Sequence, residues 1–153
     1  MLTPDRRIQL DFWHAFSEYV SGEDNFFNIS RPRPRPYMRV GLGRTHFNIV
    51  AVATFMDSLT EYFQSHELRS EIQLTGNYAR DNFDRLEEER QGIDEEMGED
   101  LSWYNPPNVN RCRIYIRHTI DLYDTDNWPE YHRWLSEKLN KMHKIFSARI
   151  ATL

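Results

Sequence analysis

At 153 residues, with 39% hydrophobic, 28% charged and 14% aromatic side chains, the chain has the size of one ordinary domain and too many aromatics for a disordered one. A formal net charge of −5 and a pI near 5.7 argue against a surface devoted as a whole to nucleic acid or anionic membrane, and leave only local basic patches for such partners. The single cysteine, Cys112, excludes an internal disulfide and a cysteine-based zinc cluster, no apolar run approaches a membrane span, and the start, with Asp5, Arg6 and Arg7, lacks a signal-peptide core, so a soluble cytoplasmic protein without membrane contact is expected.

Thr3-Pro4-Asp5 reads as a helix start capped by Thr3, after which Ile8, Phe12, Trp13, Phe16 and Val20 recur at helical spacing until Ser21-Gly22 closes the element. Residues 23–36 form a loop ending in Arg31-Pro32-Arg33-Pro34-Arg35-Pro36. Proline at every second position rules out helix and central strand and predicts an extended, polyproline-like arm. A hairpin follows, Tyr37-Met38-Arg39-Val40 and residues 46–55, joined through Gly41-Leu42-Gly43-Arg44; the second run is rich in β-branched residues and alternates imperfectly, as a central buried strand does. The connection Met56 to Glu67 is long for a hairpin and places Leu59, Tyr62 and Phe63 at the spacing of one or two helical turns, so it reads as a loop with a short helix.

In residues 68–74, Leu68, Ser70, Ile72 and Leu74 alternate with Arg69, Glu71 and Gln73, which predicts a third strand with one wet face. A second long helix is expected from Asn77 to Met97, with Phe83, Leu86 and Ile93 inward, ten acids between Asp81 and Asp100, and Gly98 as its terminator. Leu101 to Tyr104 is a short strand, and Pro106-Pro107-Asn108 turns into residues 111–119, where Cys112, Ile114 and Ile116 alternate with Arg111, Arg113 and Arg117 to give a basic outer face. The last helix opens at Asp126 or Asn127 as cap, with Pro129 in its first turn and Glu130 complementing the dipole. Its Trp134, Leu135, Leu139, Met142, Phe146 and Ile150 form an apolar face for packing on a sheet, while Lys138, Lys141 and Lys144 face solvent.

The order α-β-β-β-α-β-β-α, without a repeat or a dividing linker, predicts a single domain over residues 1–153 of the α+β class: a mainly antiparallel sheet of about five strands packed against about three helices on one side.

These marks together resemble a known prokaryotic family, domain of unknown function 4268. They are Arg6-Arg7 with Phe12-Trp13 and Phe16, the Glu-rich helix end with an isoleucine, the strand holding Trp103, the strand with Arg113 and Ile114, the group Asp126, Trp128, Pro129, Trp134 and Leu135, and the terminal helix ending near Phe146 and Ile150. The resemblance spans almost the whole chain. It implies an accessory role, since such domains are often C-terminal to a restriction-endonuclease-like domain. The sequence departs from the family pattern between Met56 and Glu67, where a tight hairpin is usual.

No catalytic residue, cofactor or metal is indicated by a motif of its own. The most nuclease-like arrangement is Asp57 with Glu71-Ile72-Gln73, which supplies carboxylates for a divalent cation but has Gln73 where a lysine belongs. Exposed acids without such a role are the commoner outcome. The six histidines show no metal-ligand spacing, Gly41-Leu42-Gly43 lacks the rest of a dinucleotide fingerprint, and Cys112 reads as a packed strand residue. Arg31, Arg33 and Arg35 are the sharpest basic feature, extended by Arg113 and Arg117 where their strands adjoin. Guanidinium groups suit phosphates, and Tyr37, Phe47, Trp103, Tyr104 and Tyr115 offer stacking surfaces. The competing use of these arginines is pairing with the acidic helix, within one chain or across two copies.

The resemblance, with the missing catalytic signature, implies a non-enzymatic interaction, accessory or oligomerisation domain of a prokaryotic nucleic-acid-related or defence system, with a protein partner or self-association. The alternatives are direct nucleic-acid binding through Arg31, Arg33, Arg35, Arg113 and Arg117, and a degenerate or divalent-metal-dependent nuclease-like domain using Asp57, Glu71 and Gln73.

Overall fold

The strand with the cleanest alternation, β3 (His66–Thr75), is the middle of a five-stranded sheet. β2 (Phe47–Thr54) and β5 (Arg111–Ile120) flank it, and β1 (Tyr37–Arg39) and β4 (Ser102–Tyr104) are the edges, so the order is β1-β2-β3-β5-β4 with every pairing antiparallel. The computed structural model describes residues 1–23, 25, 27–41, 44–56, 58 and 65–153. The short helix expected within 56–67 falls on 57 and 59–64 and lies outside the described residues, as do Asp57 and, in the β1–β2 connection, Leu42 and Gly43.

Side chains alternate across a strand, so Phe47, Ile49, Ala51 and Ala53 of β2, Leu68, Ser70, Ile72 and Leu74 of β3, and Cys112, Ile114 and Ile116 of β5 share one face. All are buried there. Against them lie α1 (Pro4–Ser21), α2 (Ala79–Glu87), α3 (Arg90–Met97) and α4 (Trp128–Ala151). The apolar face of α4 packs on β2 and β3, and the small side chains Ala51 and Ser70, paired in register, leave room for it. Ser70 Oγ donates to Met142 Sδ at 3.2 Å, which satisfies the hydroxyl inside the core.

Thr3 caps α1 by accepting from the Arg6 N–H at 3.2 Å. Along α1, Gln9 Nε2 donates to the Ala53 carbonyl (3.0 Å) and Trp13 Nε1 to the Arg35 carbonyl (2.8 Å), which ties the proline-rich arm and β2 to this helix. Phe12 meets Trp13 and Trp128 edge to face at 5.2 and 5.3 Å and so joins α1 to the start of α4. Gly98 ends α3 with φ +83°, a left-handed cap that needs no Cβ.

Three expectations are corrected. The helix expected over 77–97 is two helices, α2 and α3, broken at Glu88 and Glu89, where the Glu89 N–H tightens onto the Leu86 carbonyl at 2.9 Å. Phe83, Leu86, Ile93 and Met97 keep one helical phase across the break and so hide it. α4 follows a 3-10 turn, Thr125–Asn127, and Asn127, rather than capping the helix, donates to Asp124 Oδ2 at 2.6 Å. The polar face of β3 is not wet at its acids: Glu67 and Glu71 are 0% and 1% exposed although no helix among the described residues covers them.

Candidate functional site

With the helices on one side, the other face of the sheet is built from the odd-numbered residues of β3 and their neighbours in register. One row crosses all five strands as Arg39, Val50, Glu71, Tyr115 and Ser102. The next rows hold Tyr37, Val52, Arg69 and Arg117 on one side, and Asn48, Gln73, Arg113 and Tyr104 on the other. Five arginines (Arg39, Arg69, Arg111, Arg113, Arg117) thus share this face with two glutamates, in a chain whose net charge is −5.

Glu67, Arg69 and Glu71 form an ion-pair ladder down the middle strand. Arg69 Nη1 lies 2.7 Å from Glu67 Oε2, and its Nε lies 3.0 Å from Glu71 Oε1. Arg117 Nε donates to Glu67 Oε1, which also accepts from the Ser58 N–H and hydroxyl at 3.3 and 3.0 Å. Arg113 Nη1 stands 3.7 Å from Glu71 Oε1, and Gln73 Nε2 donates to Glu71 Oε2 at 2.6 Å. A buried carboxylate is costly unless its oxygens are satisfied, and here both oxygens of both glutamates have donors. Burial works against the charge on Arg69, but Glu71 and Glu67 outweigh it and hold its guanidinium above the ordinary arginine value.

Tyrosines stack into the same ladder. Arg113 lies over Tyr104 and Tyr115 with centroid distances of 4.8 and 5.6 Å, and Arg69 over Tyr115 at 5.5 Å. At the β1 edge Arg35 lies 4.2 Å over Tyr37 and donates from Nε to the Tyr37 carbonyl. Between these two edges the face is concave, enclosing about 960 Å³. Its floor carries Asn48, Val52, Arg69, Glu71 and Gln73, and its far wall is Tyr104 with the loop from Pro106 to Arg111.

Of the residues singled out in the sequence, the fold therefore brings Arg113, Arg117, Glu71 and Gln73 together. Arg35 sits at the edge of this face, while Arg31 and Arg33 are exposed on the arm and do not line the concavity. Asp57 lies outside the described residues, so the Asp57–Glu71 arrangement is represented by Glu71 and Gln73. Within the chain, the competing use of these arginines as partners of the acidic helix is not the one that Arg113 and Arg117 make, because they find Glu71 and Glu67 on the adjacent strand. The acids of α3 and its flank meet α4 instead, through Arg149 to Glu96 (2.8 Å) and Glu89 (3.4 Å) and Lys138 to Glu99 (2.6 Å). Within the acidic segment, Arg90 pairs with Glu87 and Asp94, and Arg85 reaches the Thr152 carbonyl. Among the described residues no group of three or more His, Cys, Asp or Glu side chains converges as metal ligands. Cys112 is packed as expected, its Sγ donating to Asn105 Oδ1 at 3.2 Å, and burial pushes its thiol up.

Glu67 was missed as a site residue because the strand was expected to begin at Leu68. The signal was present: Glu67, Arg69 and Glu71 alternate in sign at the two-residue period that puts them on one face.

The profile of the family described as domain of unknown function DUF4268 matches residues 8–150. The chain belongs to this family. Neither the curated proteins nor the solved structures contain a match. Most of the residues that carry the family resemblance lie in the core or pack against it: Phe12, Trp13, Phe16, Ile114, Leu135, Phe146 and Ile150 are buried, and Trp103, Trp128 and Trp134 pack on them. In this chain those residues build the two-layer fold. Arg6, Arg7, Asp126 and Pro129 are exposed, and Arg113 points away from the helices and into the concavity. No helix among the described residues is long and apolar enough to cross a membrane.

Proposed function

We propose that this DUF4268 domain is a binding module rather than an enzyme, and that the sheet face opposite its described helices takes an anionic partner in accessory service to a prokaryotic nucleic-acid-related system. The observation that carries this reading is the segregation of charge. Five arginines surround two glutamates on one concave face, while the acids that make the chain net negative lie on α2, α3 and their flank. Buried Glu67 and Glu71 hold the guanidinium of Arg69 and orient Arg113 and Arg117, so the face is set before a partner arrives. Such pre-organisation lowers the ordering cost of binding. Both carboxylates spend their oxygens on these donors, which favours a positioning role for them over a chemical one.

Retention on a heparin matrix tests this reading. An acidic protein should pass through unless its positive charge is concentrated, so elution well above 0.1 M salt, lost on Arg39→Ser/Arg111→Ser/Arg113→Ser substitution and kept on Lys141→Ser/Lys144→Ser substitution of exposed α4 positions, is the expected result. Flow-through of the unaltered protein at low salt would remove the basis for the proposal.

A further inference from the structure

We infer that the anionic partner is a single strand of nucleic acid lying across the open sheet face; this inference rests on the binding-module reading above. Charge alone fits any polyanion, so the choice turns on what else the concavity offers. Its two edges carry the planar pairs Arg35–Tyr37 and Arg113–Tyr104, in which a guanidinium already lies over a ring. Both aromatic rings and guanidinium planes stack nucleobases, largely without regard to base identity. Tyr104 is 44% exposed, so its ring is accessible to a base.

Between the stacks lie Asn48 and Gln73, partners in register on β2 and β3. Their amides combine donor and acceptor, the complement of a base edge; Gln73 Nε2 commits one N–H to Glu71 and keeps its second N–H and its oxygen. Arg39 and Arg111 stand at the margins of the concavity, where a backbone threading over the floor places its phosphates. A sulfated sugar or an acidic peptide uses the arginines but leaves the stacks and amides without a role.

The shape selects single strands over duplex. Reading a duplex requires an element that projects into a groove, such as a helix or a two-stranded ribbon. Here the recognition groups sit on the floor and walls of a concave sheet, where unpaired bases can reach them and a duplex presents only its phosphates. Four strand spacings of about 4.8 Å separate the edge strands, so the face spans roughly 19 Å, room for a short run of nucleotides. Arg31 and Arg33, exposed on the arm that leads into Tyr37, extend the basic path beyond this edge.

The test is fluorescence anisotropy of labelled 12-nucleotide single-stranded DNA and RNA of mixed sequence, against a duplex of the same sequence, titrated with the intact chain between 20 and 150 mM salt. The expected result is tighter binding of a single strand than of the duplex, with a log-log salt slope of about −2 for three phosphate contacts at Arg39, Arg111 and Arg113. Tyr104→Ala and Tyr37→Ala should each weaken single-strand binding roughly tenfold while lowering heparin elution far less than the triple arginine substitution does, and Tyr104→Phe, which keeps the ring, should bind as the parent does. Thermal melting of each variant separates a lost stack from a lost fold. Heparin retention without oligonucleotide binding, or single strands bound no better than duplex and indifferent to the tyrosines, overturns the inference while sparing the anionic-partner reading. The partner is then an acidic protein surface, of which the α2–α3 segment of a second copy is the nearest example. Absence of both heparin and oligonucleotide binding removes both readings.

Discussion

Replacing Arg69 by methionine removes the central guanidinium of the ladder while keeping its apolar stem. The change strands two carboxylates that are 0% and 1% exposed, and it breaks the contacts of 2.7 Å to Glu67 and 3.0 Å to Glu71. A hydrogen bond to a charged group contributes about 1.5–3 kcal/mol, and breaking a buried pair from one side costs about 3–5 kcal/mol. Glu67 keeps Arg117 and Ser58, and Glu71 keeps Gln73 and Arg113, so the loss belongs at the low end, about 3 kcal/mol. With an unfolding entropy near 2.1 cal/mol/K per residue over 153 residues, that loss lowers Tm by about 9 °C. Urea unfolding followed by tryptophan fluorescence, at 0.15 and 1 M NaCl, reads the effect. A buried ladder predicts the same loss at both salts, and recovery of most of it in Arg69→Met/Glu67→Gln/Glu71→Gln, where no buried carboxylate is left unpaired and the part-exposed Arg113 and Arg117 can turn to solvent. A cost below about 1 kcal/mol, or one erased by salt, would refute the ladder as a buried and mutually dependent unit.

His132 should make the fold acid-sensitive. It is buried against Phe12, with ring centroids 4.5 Å apart, and its Nε2 has no hydrogen-bond partner. Burial pushes it down to about 4 from an ordinary 6.5, against a hydrogen bond with the Phe12 backbone that acts the other way. The unfolded chain therefore binds more protons between these values: stability is fully present above pH 6.5, falls as the pH drops towards 4, and loses about 3 kcal/mol in all. Urea midpoints measured from pH 7 to 4 should fall less steeply in His132→Phe than in the parent, and parallel curves would contradict the assignment. Gly76→Ala tests the turn after β3: Gly76 has φ +85° and an added Cβ would approach the His46 ring at 2.7 Å. The ring can swing aside but the left-handed backbone cannot be avoided, so calorimetry should show a loss of about 1–2 kcal/mol, with Gly76→Asn costing less because asparagine tolerates that conformation.

How much of this was legible from the residues differs by element. The alternation of Leu68, Ser70, Ile72 and Leu74 and the helical spacing of Phe12, Trp13 and Phe16 identified core faces correctly, because burial is periodic and periodicity is local. At the start of α4, Asn127 stands at the position expected of the cap, but its side chain donates to Asp124 and makes no capping hydrogen bond, a choice of partner that the local sequence pattern does not show. At the candidate site, Arg113 and Arg117 were recognised as a basic strand face, but their counter-ions were sought on the acidic helix. Sequence shows opposite charges without showing which are neighbours.

By itself, then, the sequence determined the α+β class, the chain order of the strands and most of the core, all of which follow from short-range patterns of polarity. Only the tertiary structure decided that β5 lies beside β3 with Arg117 opposite Arg69, and that Glu67 and Glu71 are dehydrated on the face turned away from the described helices. Strand register and desolvation are properties of chain segments brought together from as far apart as residues 67 and 117, and a charge acquires its energetic meaning only from the neighbours that such pairing supplies.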